Sequence, residues 1–194
     1  MPDRQFLFII GSPRSGTTYL QILLASQPEV ATTVELTFFD RYVASWMKWW
    51  DREVEALERH QWKHGLPFIW SEAEFHDMLR EFLRRGYEKV MERRPDAKYI
   101  LDKRPPYSLH VESIKKLLPN ARFIHLLRDG RDVAASMIAA YRKAGFGAET
   151  IEEAAVAWRD FTLGARRAAK FGPDYLEIRY ENLVADGPKT LLQV

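Results

Sequence analysis

The sequence predicts an α/β fold, a three-layer sandwich around a mostly parallel central sheet with a helical insertion. Three observations carry that expectation. Short apolar, β-branched or aromatic runs at 6–10, 99–101, 122–127 and 175–179 read as strands, the first of them buried on both faces. Helical patterns separate these runs, which is the order of βαβ units. Turn-forming segments at 11–16 and 128–132 follow the first and third runs directly, and such sheets bind ligands at the carboxyl ends of their strands.

The elements follow in order. Phe6-Leu-Phe-Ile-Ile10 gives the first strand, Gly11 to Gly16 a turn, and Thr17 to Ser26 a helix with Leu20, Leu23 and Leu24 on one face. Residues 36–98 form the helical insertion, a candidate acceptor-binding region. It holds five of the six tryptophans (Trp46, Trp49, Trp50, Trp62 and Trp70). Within it, Ser71 and Glu74 make a capping box that opens a helix towards Arg94, and Pro95 stops it. Tyr99 to Leu101 is the second strand, and Pro105-Pro106 opens a helix through Leu118. Arg122 to Leu127 is the third strand, followed by the Arg128-Asp-Gly130 turn and a helix to about Lys143. Thr150 and Glu153 form another capping box, starting a helix that ends near Gly172, and Tyr175 to Arg179 is the fourth strand. Pro188 suits the first turn of a last helix. The expectation is one domain over 1–194, either truncated at its C-terminus or a natural short form, because the chain stops at Val194 inside that helix.

Composition excludes several function classes. At 46% hydrophobic and 29% charged, this is an ordinary globular chain. It has no cysteine, which rules out disulfides, thiolate metal sites and a cysteine nucleophile. A net charge of +2, from 29 basic and 27 acidic residues, is too balanced for a generic nucleic-acid binder. The run 6–10 is too short to cross a bilayer, and Gly-Ser-Pro-Arg follows it in place of a signal-peptide layout. The expectation is a cytoplasmic protein with neither a membrane nor a nucleic acid as partner.

Gly11 and Gly16 have P-loop spacing, with Thr17 and Thr18 behind them. Glycines let backbone N–H groups turn inward, and the N-terminus of the next helix favours an anion. The nucleotide P-loop needs a lysine after its second glycine; Thr17 stands there, and the cation moves into the loop as Arg14. The loop is P-loop-like, with an anion cradle and no lysine for a β/γ-phosphate. The plain alternative is a tight strand-to-helix turn, which has no need of a guanidinium at its apex. A second cation and hydroxyl follow the third strand, as Arg128 and, eight residues on, Ser136. Taken alone, that pair reads more readily as an exposed charge cluster at a helix start than as an anion site.

The segment Phe8-Ile-Ile-Gly-Ser-Pro-Arg-Ser-Gly-Thr-Thr18 resembles the 5'-phosphosulfate loop of sulfotransferases that use 3'-phosphoadenosine-5'-phosphosulfate (PAPS). It is closest to the tyrosylprotein and bacterial branches. The resemblance implies that Arg14, Ser15, Gly16, Thr17 and Thr18 contact the 5'-phosphosulfate. It implies that Arg128 and Ser136 hold the 3'-phosphate, and that Tyr180, in Tyr-Glu-Asn-Leu183, supports the phosphoadenosine. Glu35 stands at the spacing of the tyrosylprotein branch's catalytic base, 21 residues past Arg14. Lys103, in Leu101-Asp-Lys-Arg-Pro-Pro106, resembles the lysine facing the transferred group, with Arg14 sharing the task and Arg104 a competitor for it. The implied activity moves a sulfuryl group to the hydroxyl of a small molecule, a carbohydrate or a peptide tyrosine. It leaves adenosine 3',5'-bisphosphate and requires no metal. One departure is Ala140, where the tyrosylprotein branch has an arginine; Arg142 is nearby.

Other residues carry weaker signals. His60 and His64 are four apart, but no third metal ligand has suitable spacing. His125 alternates within a buried strand and reads as core. Trp46, Trp49 and Trp50 have helical spacing, which favours core packing over an acceptor pocket. The rival functions are a P-loop nucleotide kinase, which the missing lysine opposes, and a truncated non-catalytic nucleotide-binding domain.

Overall fold

A computed structural model describes residues 4–60 and 64–194, without the His60 side chain. Trp62 and that side chain therefore lie outside the described residues. Five parallel strands form one sheet: β1 (Gln5–Ile10), β2 (Val30–Thr32), β3 (Tyr99–Lys103), β4 (Ala121–Leu127) and β5 (Tyr175–Arg179). Their spatial order is β2-β3-β1-β4-β5.

The sequence gives no sign of β2. Three residues are too few for a periodic signal, and Gln27-Pro28-Glu29 before them reads as a turn. Pairing of Val30 with Tyr99 and Thr32 with Leu101 makes it a strand. Two helices differ in extent. Pro105–Leu109 is a 3-10 turn that His110 separates from α4 (Val111–Leu117), because His110 leaves the helical region at φ −124°. Similarly, α6 (Ile151–Arg166) gives way to a 3-10 segment, Arg167–Asp174, in which Gly172 has φ 60°.

Alternation along β1 divides the core. Phe6, Phe8 and Ile10 share one cluster with Leu79, Leu83 and Tyr87 of α3 (Glu72–Met91) and with Val111 and Ile114 of α4. Ile9 shares the other with Leu20 of α1 (Thr17–Ala25) and Leu183 of α7 (Tyr180–Ala185). Helices thus cover both faces, as continuous apolar strands require. The 36–98 segment contributes to the main core. A π-helical turn, Phe38–Val43, leads into α2 (Ala44–His60), whose Trp50 stacks on Phe75 at 4.3 Å and 8°. Trp46 packs edge-on against Phe82, while Trp49 is exposed with Arg52 over its ring.

The strand order places the candidate site. From β1 the chain goes to β2 and β3 on one side; β4 lies on the other side of β1 and leads outward to β5 through α5 (Gly130–Ala144) and α6. The carboxyl ends of β1 and β4 therefore flank the point where the order reverses, and α/β sheets open a crevice there. Both loops singled out in the sequence leave from these two strand ends. The last helix, α8 (Gly187–Leu191), carries Pro188 in its first turn.

Candidate active site

The first loop is built tightly. Gly11 takes φ 142°, and a Cβ there would lie 2.5 Å from the Leu126 carbonyl oxygen, so only glycine lets β1 and β4 approach this closely. Its N–H donates to Ser108 Oγ at 2.8 Å, and that hydroxyl donates back to the Gly11 carbonyl at 3.2 Å. Arg14 sits at the apex in the left-handed region, at φ 68°. Such a conformation costs a non-glycine residue about 1–3 kcal/mol and persists only where its surroundings hold it. The hold comes from the second loop, where Arg128 Nη1 donates to the Arg14 carbonyl at 3.2 Å. Gly16 caps α1 at φ 90°, beneath the Tyr180 ring.

The structure brings the first five cradle residues together with Arg128, Ser136 and Tyr180. Arg14 Nε donates to Ser136 Oγ at 3.1 Å, and the Arg14 guanidinium lies 5.9 Å from the Phe146 ring centre. The Arg128 guanidinium stacks over Tyr180 at 4.6 Å. Trp158 of α6 braces the turn, donating from Nε1 to the Arg128 carbonyl at 3.1 Å with its ring against Gly130. Glu181 accepts from the Asp129 N–H at 2.8 Å.

A second group lies at the carboxyl end of β3. Lys103 is a buried lysine, 4% exposed at its side chain, not a surface one. Its Nζ donates to Thr18 Oγ1 at 3.1 Å and to Glu35 Oε1 at 2.5 Å. Arg104 Nη1 donates to Glu35 Oε2 at 3.1 Å and grips Asp40 with two further bonds, of 2.7 and 2.8 Å. Glu35 therefore has one cation on each oxygen. Thr18 links this group to the first loop.

Each of the two loops also holds a buried polar atom without a partner. Among the described residues, Ser15 Oγ and Arg128 Nε are buried and make no hydrogen bond. One belongs to each loop, and buried polar atoms are ordinarily satisfied. Two further titratable groups lie beneath. Burial pushes the Asp102 carboxyl up to about 7, against the hydrogen bond from Tyr87. Burial also lowers the His125 imidazole to about 4, with Glu177 opposing it. His125 is wholly buried, as its place in a strand predicts. Among the described residues no group of three or more His, Cys, Asp or Glu is placed to hold a metal ion. No described helix is long and apolar enough to cross a membrane.

A model of the Sulfotransferase family matches residues 7–194. The chain belongs to the sulfotransferase family. Protein-tyrosine sulfotransferase 1 of Danio rerio is 27% identical over 188 residues, covering 94% of this chain and 49% of that protein. A putative protein-tyrosine sulfotransferase of Caenorhabditis briggsae is 29% identical over 134 residues, 69% of this chain and 43% of that protein. This chain thus spans less than half the length of these two relatives. A sulfotransferase from Alicyclobacillus acidocaldarius shares the fold, with a TM-score of 0.66 and 14% identity over 98% of this chain and 78% of the other. Mouse sulfotransferase SULT7A1 complexed with PAP does so with a TM-score of 0.55 and 17% identity, over 97% and 56%.

Sequence reasoning missed several residues of this candidate site in the sulfotransferase-family chain. Ser108, Trp158 and Asp40 act from elements 97, 30 and 64 residues away from the loop residues they hold. No local spacing announces them; only Gly130, a small residue in a charged turn, hints that something packs close. His110, just beyond the Lys103 segment, is half-buried with its pKa lowered by burial, near Ala44 and Met47 of α2. Ala140 faces the interior and Arg142 is exposed in the last turn of α5.

Proposed function

We propose that this member of the sulfotransferase family transfers a sulfuryl group from PAPS to an acceptor hydroxyl by in-line displacement. The observation that carries the reading is the joining of two cationic cradles at the sheet's switch point, through Arg14–Ser136 and Arg128–Arg14. Arg14, Ser15, Gly16, Thr17 and Thr18 hold the 5'-phosphosulfate, where the Ser15 hydroxyl gains the partner it lacks. Arg128 and Ser136 hold the 3'-phosphate, with Arg128 Nε available to it and Tyr180 flanking the phosphoadenosine. PAPS supplies the sulfuryl group, and adenosine 3',5'-bisphosphate is the product nucleotide. Arg14 is shared between the two ends of the nucleotide, since its side chain already reaches Ser136.

Glu35 accepts the acceptor's proton. Lys103 spends two of its three donors on Thr18 and Glu35, which leaves one for charge developing on the transferred group and the leaving phosphate. Drawing Lys103 towards that charge loosens its hold on Glu35 Oε1 and frees an oxygen for the proton. Arg104 keeps Oε2 in place. The electrostatic work is proposed for Lys103 and Arg14, without a metal. The acceptor is a hydroxyl of a small molecule, a carbohydrate or a peptide tyrosine; the two named relatives make peptide tyrosine the first to test. No nucleic acid or membrane partner is proposed. The lack of cysteine suits a reducing compartment, and the cytoplasm is the proposed location.

The test is transfer of labelled sulfate from PAPS to a panel of hydroxyl acceptors, with the Glu35→Gln variant alongside. Transfer by the parent chain, cut roughly a hundredfold in the variant at nearly unchanged nucleotide affinity, supports both the reaction and the base. Wild-type turnover in the variant removes Glu35 from the role. Stabilisation by ATP with Mg2+ and not by adenosine 3',5'-bisphosphate would instead favour a kinase.

A further inference from the structure

Glu35 belongs to no helix or strand: it stands in the 33–37 stretch between β2 and the π-helical turn. A carboxylate on an irregular segment is placed only as well as that segment is held. Two side chains from other elements hold it, one on each side. Before Glu35, the Gln21 amide of α1 donates to Thr32 Oγ1 and to the Thr33 carbonyl, both at 2.9 Å. Thr32 Oγ1 in turn donates to the Leu101 carbonyl at 2.8 Å, which ties the entry of the segment to β3. After Glu35, the Tyr107 hydroxyl donates to the Leu36 carbonyl at 3.0 Å and accepts the Phe38 N–H at 3.1 Å.

Both clamps are built into the core. Tyr107 is wholly buried, and its ring packs edge-on against Phe39 at 5.3 Å and against Phe8 at 6.0 Å. Gln21 is also buried. Neither side chain hydrogen-bonds to Glu35, and neither belongs to the motifs that mark the family in this sequence. Each acts on backbone next to Glu35. The two clamps also start from the two halves of the site. Gln21 lies one turn beyond Thr17 on the helix that leaves the phosphate loop, and Tyr107 lies four residues past Lys103.

We infer that Gln21 and Tyr107 are positioning residues for Glu35, fixing its segment at both ends so that the carboxylate meets Lys103 and Arg104 in one geometry. The inference rests on the proposed role of Glu35 as base. Loss of one clamp leaves the other in place, so the carboxylate moves by only part of the roughly 1 Å that costs about a hundredfold in a positioned reaction. Turnover falls as a result, while the nucleotide cradles keep their own contacts.

The experiment is a double-mutant cycle on the whole chain, with PAPS and an acceptor that the parent enzyme sulfates. The variants are Tyr107→Phe, Glu35→Gln and the pair, with Gln21→Met as a second probe of comparable length that lacks the donor. The measurements are kcat, KM for PAPS, adenosine 3',5'-bisphosphate affinity and thermal unfolding. Expected are a kcat about tenfold lower in Tyr107→Phe and in Gln21→Met, with nucleotide affinity within about twofold of the parent. In the Glu35→Gln background, Tyr107→Phe should cost no further turnover, because the group it positions is already disabled. A merely structural role lowers unfolding temperature but does not make the kcat losses non-additive. If Glu35→Gln is impaired while both clamp variants turn over like the parent, or if the losses multiply, the positioning role is overturned and the base stands. If Glu35→Gln itself turns over normally, the base reading falls and this inference falls with it. Should Tyr107→Phe fail to fold, Gln21→Met alone and paired with Glu35→Gln decides by the same criteria.

Discussion

Asp102 offers a prediction whose size follows from its surroundings. The residue is buried in β3, with one carboxylate oxygen accepting from the Tyr87 hydroxyl at 2.9 Å and the other making no hydrogen bond. Burial raises its pKa from the ordinary 3.8 to about 7; Tyr87, Tyr107 and Arg104 pull it down, and Glu35 pushes it up. The folded state thus holds a proton that the unfolded chain gives up between about pH 4 and 7, so this group's contribution to stability falls as pH rises through that window. Asp102→Asn keeps the shape and removes the charge. From pH 4.5 to 7.5 the variant should gain about 3 kcal/mol relative to the parent, at roughly 1.4 kcal/mol per pH unit of proton linkage. For a chain of this size that corresponds to about 6–12 °C in the difference of unfolding temperatures. His125 works oppositely: its pKa of about 4 is below the ordinary 6.5, so its contribution is lost as pH falls through that range. Because both proteins carry His125, its contribution cancels in the difference. Thermal unfolding followed by circular dichroism at pH 4.5, 5.5, 6.5 and 7.5 provides the measurement. A difference that stays constant with pH, or that turns against the variant as pH rises, would refute the reasoning.

Three further outcomes follow from the cradles. Arg14→Ala removes a charge-assisted contact worth roughly 1.5–3 kcal/mol, so calorimetry should show adenosine 3',5'-bisphosphate binding at least about tenfold more weakly; unchanged affinity would remove Arg14 from the cradle. The parent should be stabilised more by adenosine 3',5'-bisphosphate than by AMP in a thermal-shift series, and Ser136→Ala should narrow that gap. Equal stabilisation of the parent by both nucleotides would show the 3'-phosphate site to be misassigned. Gly16→Ala meets the Tyr180 ring 2.5 Å from the new Cβ, at φ 90°. It should destabilise the fold by about 1–3 kcal/mol and weaken nucleotide binding, whereas a variant that binds and unfolds like the parent would show that Tyr180 moves aside freely.

What could be read in the sequence is what local spacing encodes. The two capping boxes, Ser71 with Glu74 and Thr150 with Glu153, both form, because each needs only residues three apart. The strand, glycine loop and helix around Arg14 are likewise set by neighbours: Gly11 and Gly16 take positive φ, and the apolar run before them is buried on both faces. The β2 strand was illegible, since Val30–Thr32 becomes a strand only by pairing with β3. The candidate base and lysine could be named from motif spacing, but not their union: Lys103 is buried against Glu35 across 68 residues of chain. Nor could the sequence show that Arg14 and Ser136, 122 residues apart, share a hydrogen bond, or that Tyr107 and Gln21 grip the segment carrying Glu35. Side-chain chemistry, turn propensity and helix caps act within a few residues, so the sequence by itself determined which groups are available and which element presents each. Which of them meet depends on the order β2-β3-β1-β4-β5, which sets the ends of β3, β1 and β4 side by side, and that order exists only once the sheet has paired.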